Sequence, residues 1–138
     1  MTVSLLLVAQ IIFAHWVSDF VLQTHWMATN KSKNWLALLS HVGTYTASLA
    51  VILLTVGAMV AASETGAVPN AIFILAPSAF VVWIIVNGAL HFVTDAITSR
   101  ITSYFWAKND AHNFFVVIGF DQMIHYFCLF GTLILLIN

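Results

Sequence analysis

Two five-residue stretches of the chain share one pattern. His15–Asp19 reads H-W-V-S-D and His91–Asp95 reads H-F-V-T-D: histidine, aromatic, valine, hydroxyl, aspartate. A third pair, Asp121 and His125, has the same spacing in reversed order. Residues four apart share one face of a helix, so each pair puts an imidazole and a carboxylate on one stripe. All three stripes fall in long apolar runs, where ionisable groups are expensive and are as a rule paired or functional. Imidazole and carboxylate together suit a divalent transition metal, Zn, Mn or Fe, and ligand type alone does not choose between them.

Charge argues for the ion. Three carboxylates close together in low dielectric repel one another or protonate. Asp19 and Asp95 also lie near the C-terminal ends of their runs, the wrong end of a helix dipole for an anion. A divalent cation removes both problems. His15, Asp19, His91, Asp95, Asp121 and His125 are the candidate metal ligands. His41, at the start of another apolar run, joins them as ligand or general base, and with Asp121 it makes up the candidate catalytic pair. Seven candidates exceed one tetrahedral site, so one or two ions fit, two being about 3.5–4 Å apart. Gln23, Tyr45 and Asn87 extend the same stripes, and with Gln122 they are candidates to orient the ligands. A His–Asp pair can also simply satisfy itself and glue helices together. Haem ligation by His41 and His125 would leave the aspartates without a role.

The elements that must carry these residues are membrane spans. The chain has 138 residues, of which 62% are hydrophobic and 7% charged, whereas a soluble domain carries about 25% charged residues. Its net charge of −1 offers no basic patch to a nucleic acid. The single cysteine, Cys128, sits in an apolar run and reads as a core residue. No basic leader precedes the first run, so no cleavable signal peptide is expected. Four segments reach the roughly 20 apolar residues that cross a bilayer: about 3–22, 35–62, 71–98 and 113–137. The expected fold is all-α, a four-helix transmembrane bundle forming one domain over residues 1–138. The repeated motif suggests two helical hairpins related as parallel repeats.

Orientation follows from the basic residues. Lys31 and Lys33 lie in the first connection, Arg100 and Lys108 in the third, and the second holds only Glu64. The first and third connections therefore face the cytoplasm, with both termini on the other side. Trp26, Trp35, Tyr104 and Trp106 fit an aromatic belt on that face. Segments around Trp26–Met27 and Ile101–Phe105 are expected to lie flat in the interface. His25 and His112 read as solvated. With 1.5 Å of rise per residue, all seven candidate ligands then fall in the cytoplasmic half of the bundle. Lys31, Lys33 and Arg100 either fix topology alone or draw anionic groups to the mouth of the site.

The run from His15 to Lys33, H-W-V-S-D-F-V-L-Q-T-H-W-M-A-T-N-K-S-K, resembles the signature of an uncharacterised family of small bacterial and phage membrane proteins. That family's pattern is H-x-x-x-D-F-x-L-Q-x-x-W-M-A with a following lysine, a histidine opening the second span, H-F-x-x-D in the third and D-Q-x-x-H in the fourth. His41, His91–Asp95 and Asp121–His125 supply the last three. The resemblance covers almost the whole chain and implies a multi-pass protein of the bacterial inner membrane. A fainter similarity links the H-x-x-x-D pairs to membrane-bound metal-dependent hydrolases, whose additional His-rich loop motifs this chain lacks.

The leading functional expectation is a metal-dependent membrane hydrolase acting on a lipid or lipid-linked substrate at the cytoplasmic interface. The alternative is a metal-ion or proton carrier or channel. A third reading is a structural membrane protein with a metal staple. The lipid bilayer is the expected partner, and a homo-oligomer is compatible with helices of this length.

Overall fold

The computed structural model describes residues 5–63 and 77–137. Within them the protein is all-α. Helix α1 is Leu5–Trp16 and runs on into a π-helical stretch, Val17–Val21. A short α2, His25–Asn30, precedes three long helices: α3 (Trp35–Ser63), α4 (Pro77–Ala107) and α5 (Ala111–Ile137). These three are long and apolar enough to cross a membrane, as in a multi-pass membrane protein, and α1 with its π turn is a shorter apolar helix. The second connection, with Glu64, Gly66 and Pro69, lies outside the described residues, as do the first residues of the expected first and third spans, 3–4 and 71–76.

Each helix buries one stripe at helical spacing, and each stripe changes character along its length. On α4 the buried residues begin as Phe80, Trp83 and Ile84, then become Asn87, Gly88, His91, Thr94, Asp95, Thr98 and Ser99. On α3 they run from Ala37, Leu38 and His41 through Tyr45 to Leu49 and Leu53. On α5 they are His125, Leu129 and Leu133, and on α1 Leu7, Gln10, Ile11, Ala14 and His15. One half of the interior is therefore hydrocarbon, and the half beneath it is histidine, aspartate and hydroxyl. The outward faces are apolar, with Phe127 69% and Leu135 80% exposed. A polar interior inside an apolar surface is the arrangement that lipid selects.

The helices surround this interior as a ring. α4 packs against both α3 and α5, and α3 against α1. His15 and Asp19 close the ring by reaching Gln122 on α5. Lipid gives no hydrophobic force between helices, so close approach of small residues matters. Gly88 supplies it, lying directly under Thr46 of α3.

The connections are tightly capped. Thr24 caps α2 by accepting from the Met27 amide, and Asn34 caps α3 by accepting from Leu36 and Ala37. α4 ends in a left-handed residue, Asn109 (φ 55°), with Asn109 N–H donating to the Trp106 carbonyl and Asp110 N–H to that of Phe105. This is a Schellman ending with Asn in the position glycine more often fills. Asp110 then caps α5, and the bonds it accepts from the Asn113 side chain and amide hold its carboxyl below the usual range.

The sequence reading places a connection at 99–112. The helix instead continues to Ala107, so Ile101–Phe105 belong to α4 and form no separate interfacial piece. The cause is local: residues 99–107 contain no glycine or proline to end the helix. Trp26 and Met27 do sit on a short separate helix, α2.

Candidate metal centre

The cluster is assembled from four helices and one loop. Asp19 comes from the π turn, His41 from the second turn of α3, His91 and Asp95 from α4, and Asp121 and His125 from α5. Lys31, just after α2, reaches in from the side.

His41 stands at its middle. Its Nε2 lies 3.1 Å from Asp19 Oδ1, 3.0 Å from Asp95 Oδ2 and 3.1 Å from His91 Nε2. His91 Nε2 is 3.6 Å from that same Asp19 oxygen and 3.7 Å from that same Asp95 oxygen. Four donor atoms thus define a tetrahedron, with five of its edges at 3.0–3.7 Å. Metal–ligand bonds of about 2.0–2.1 Å in tetrahedral geometry require edges of about 3.3 Å. Asp19, His41, His91 and Asp95 are all buried, and together they could hold a metal ion. One imidazole nitrogen has one lone pair or one proton and cannot satisfy so many neighbours, whereas a cation among the four atoms satisfies them all.

The far ring nitrogens of these two imidazoles, His41 Nδ1 and His91 Nδ1, are buried with no hydrogen-bond partner among the described residues. The His91 ring is held by packing instead, stacked on Tyr45 at 3.8 Å and on His125 at 4.2 Å.

A second group shares a member with the first. Asp19, Asp121 and His125 also offer ligand atoms close enough for one ion. His125 Nε2 lies 3.4 Å from Asp121 Oδ2 and 3.3 Å from Asp95 Oδ1. Asp95 therefore turns one oxygen to each group.

His15 is in the cluster but in neither group. Its Nε2 faces the Gln122 amide oxygen at 2.9 Å, and Gln122 Nε2 donates to Asp19 Oδ2 and Asp121 Oδ2, each at 3.0 Å. An amide oxygen only accepts, so His15 Nε2 carries the proton. The lone pair on Nδ1 is then taken by the Tyr45 hydroxyl at 3.2 Å. Both ring nitrogens of His15 are thus engaged by protein side chains, and Gln122 links it to two carboxylates.

The other expected residues divide. Tyr45 and Gln122 hold the cluster as just described. Gln23 lines the adjoining cavity. Asn87 stands apart, donating to the Trp83 carbonyl and to Thr132, each at 2.9 Å. Arg100 bonds its own helix carbonyl at Ala96 and covers the Trp35 ring at 4.7 Å, away from the cavity. Lys31 goes deeper than a mouth residue: its Nζ is 2.7 Å from Asp95 Oδ2 and 3.2 Å from His41 Nε2. His25 and His112 are exposed.

A cavity of about 630 Å³ adjoins the cluster. Asp19, Asp95 and Asp121 are in its wall, with Lys31 and Lys33. A ladder on α4, Thr98, Ser99, Thr102 and Ser103, forms one side, and Phe20, Trp106, Phe114 and Ile118 make the apolar part. The ladder escaped the sequence reading, although T-S-R-I-T-S carries its i, i+4 signal. Thr98 is its working end, donating to Asp121 Oδ1 at 2.5 Å.

Residues 6–137 match the model of a family described as a protein of unknown function, DUF3307, so the chain belongs to that uncharacterised family. No curated protein and no solved structure matches it.

Proposed function

We infer that this member of the DUF3307 family is a metal-dependent hydrolase of the bacterial inner membrane, acting at the cytoplasmic interface on a lipid or lipid-linked substrate. The observation that carries this reading is the convergence of Asp19 Oδ1, His41 Nε2, His91 Nε2 and Asp95 Oδ2 on one tetrahedral spacing beside a cavity. These four residues hold the first ion. Asp121 and His125, with Asp19, hold a second where one is present. A divalent ion there supplies Lewis acidity, lowering the pKa of water and polarising a phosphoryl or carbonyl oxygen. Where one ion is present, Asp121 is the base: Thr98 and Gln122 fix its carboxylate, and it faces the cavity from which water and substrate come. His41 acts as ligand in this arrangement, since its Nε2 points into the tetrahedron.

α1, α3, α4 and α5 form a four-helix bundle in this reading, with its Lys31, Lys33, Arg100 and Lys108 end in the cytoplasm. The other half of the bundle supports hydrolysis over transport. Leu7, Ile11, Leu49, Leu53, Trp83 and Leu129 pack into one apolar cluster there. Gln10 and Asn87 are the buried polar residues in that half among the described residues, and Asn87 is bonded to Thr132. A single protomer offers an ion no continuous polar route through that cluster.

Elemental mass spectrometry of the detergent-purified protein tests the reading. One or two equivalents of a transition metal are expected, lost in Asp95→Ala and His41→Ala. A protein that carries no transition metal and acquires none on dialysis against zinc, manganese or iron rules it out. Retained metal with ion flux into proteoliposomes would decide for a carrier.

A further inference from the structure

The Lys31 ammonium stands where a metal and a lysine cannot both be served. His41 Nε2 has one lone pair, and Lys31 Nζ sits 3.2 Å from it. The same ammonium is 2.7 Å from Asp95 Oδ2, one of the four converging donor atoms. A cation bound to those two atoms takes both of the lysine's acceptors and repels its charge. Lys31 must then leave the cluster, and the open space beside it is the cavity whose wall it already forms.

That cavity is built for an anion with an apolar body. Besides Lys31 and Lys33, its polar wall offers the hydroxyls of Ser99 and Ser103, those of Thr98 and Thr102 being bonded within the protein. Ser99 is 6% exposed, and its Oγ has no hydrogen-bond partner among the described residues. A buried hydroxyl without a partner is costly to keep, and a bound acceptor relieves it. Ammonium groups and hydroxyls together are the donor set of a phosphate. Phe20, Trp106, Phe114 and Ile118 face the same space and suit an acyl or isoprenoid chain. The floor, however, is Asp19, Asp95 and Asp121, which repel an anion until their charge is neutralised.

We propose that the cavity recognises a phosphate group and that Lys31 is handed from Asp95 and His41 to that phosphate when metal binds. Metal binding and phosphate binding are then ordered, the first releasing the ligand for the second. Lys31 and a bound cation are thus alternatives at Asp95 Oδ2 and His41 Nε2. This rests on the metal reading above and adds the substrate class and the role of one cation.

The test uses the full-length protein in nanodiscs. Zinc affinity is measured by competition with a chromophoric chelator. Binding of inorganic phosphate, and of phosphatidic acid against phosphatidylcholine in the disc, is measured with and without zinc. Wild type should bind phosphate at least about tenfold more tightly once zinc is present. Lys31→Met should bind zinc more tightly, by about threefold or more, yet bind phosphate about tenfold more weakly, the order of one charge-assisted hydrogen bond. Lys31→Arg keeps the charge and should retain phosphate binding, and Arg100→Met, outside the cavity, should match wild type in both. Preference for phosphatidic acid over inorganic phosphate supports a lipid headgroup as the source, and equal affinities support a free phosphate. Zinc binding that Lys31→Met leaves unchanged or weaker overturns the hand-over alone. Phosphate binding that ignores zinc, or that is absent in every arm, overturns it as well. Failure of wild type and Lys31→Met alike to bind zinc overturns the metal reading together with it.

Discussion

The Nε2 atoms of His41 and His91 face each other at 3.1 Å across the α3–α4 interface. Each also faces the same oxygen of Asp19 and the same oxygen of Asp95. Two imidazoles can share one proton, but that leaves the carboxylate contacts of the acceptor ring without a donor. A cation among the four atoms would satisfy all of them. His41→Ala and His91→Ala should therefore each weaken zinc binding by more than about 100-fold. His15→Ala, which removes only an orienting partner, should weaken it by about 10- to 100-fold. Chelator competition measures all three, and a His15 variant as damaging as the other two would place His15 among the ligands.

Metal should also stabilise the fold, because the ligands come from separate helices. An ion present at 100 times its dissociation constant contributes about 2.7 kcal/mol. Removing it with a chelator should lower the melting temperature of wild type in detergent. Asp95→Ala should melt at one temperature with and without chelator. The same chelator shift in that variant would mean the ion binds somewhere else.

The stripes of the sequence located the cluster but not its connections. Helical spacing paired His15 with Asp19, His91 with Asp95 and Asp121 with His125. In the structure these partners are 3.8, 3.7 and 3.4 Å apart, and the shorter contacts run between helices, from His41 to both Asp19 and Asp95. Spacing along one helix says which residues share a face and nothing about which helix that face meets. The apparent equivalence of His15 and His91 fails for a further reason. The first copy of the motif passes from α1 into a π turn, where Leu22 N–H bonds the Val17 carbonyl five residues back at 3.0 Å, and the second lies on regular α-helix. A π turn rotates the residues beyond it relative to an α-helical wheel, and such turns concentrate at functional sites. Nothing in H-W-V-S-D-F-V announces it. Lys31 was legible as a residue that fixes topology or draws anions to the mouth and not as a neighbour of Asp95 and His41, because its reach into the cluster depends on where α2 and its turn set the chain.

Asn87 separates structural from functional polarity. It is buried one turn from His91, yet its side chain donates to the Trp83 carbonyl and to Thr132 of α5. Interhelical hydrogen bonds in membranes average about 0.6 kcal/mol and reach about 1.7. Asn87→Ala should lower stability by an amount in that range and leave zinc affinity within about twofold of wild type. Unfolding in a graded denaturing detergent gives the first number and chelator competition the second. A large loss of zinc affinity would show that Asn87 orients His91 after all.

The α3–α4 contact that brings His41 to His91 depends on a missing side chain. A Cβ at position 88 would lie 2.6 Å from Thr46 Oγ1 and 3.2 Å from Thr46 Cγ2. Thr46 has little freedom to withdraw, since its hydroxyl donates to the Val42 carbonyl at 2.7 Å and its β-branched side chain is stiff. Gly88→Ala must therefore push the helices apart or force Thr46 off its rotamer, at about 1–3 kcal/mol. Position 88 is three residues before His91, so the displacement should also weaken zinc binding. Thr46→Ala removes both clashing atoms and leaves only the 3.5 Å contact with Cβ. The double variant Gly88→Ala/Thr46→Ala should recover most of the lost stability and of the lost zinc affinity, a strongly non-additive pair in a double-mutant cycle. Additive effects of the two substitutions would mean that Gly88 matters for some reason other than its approach to Thr46.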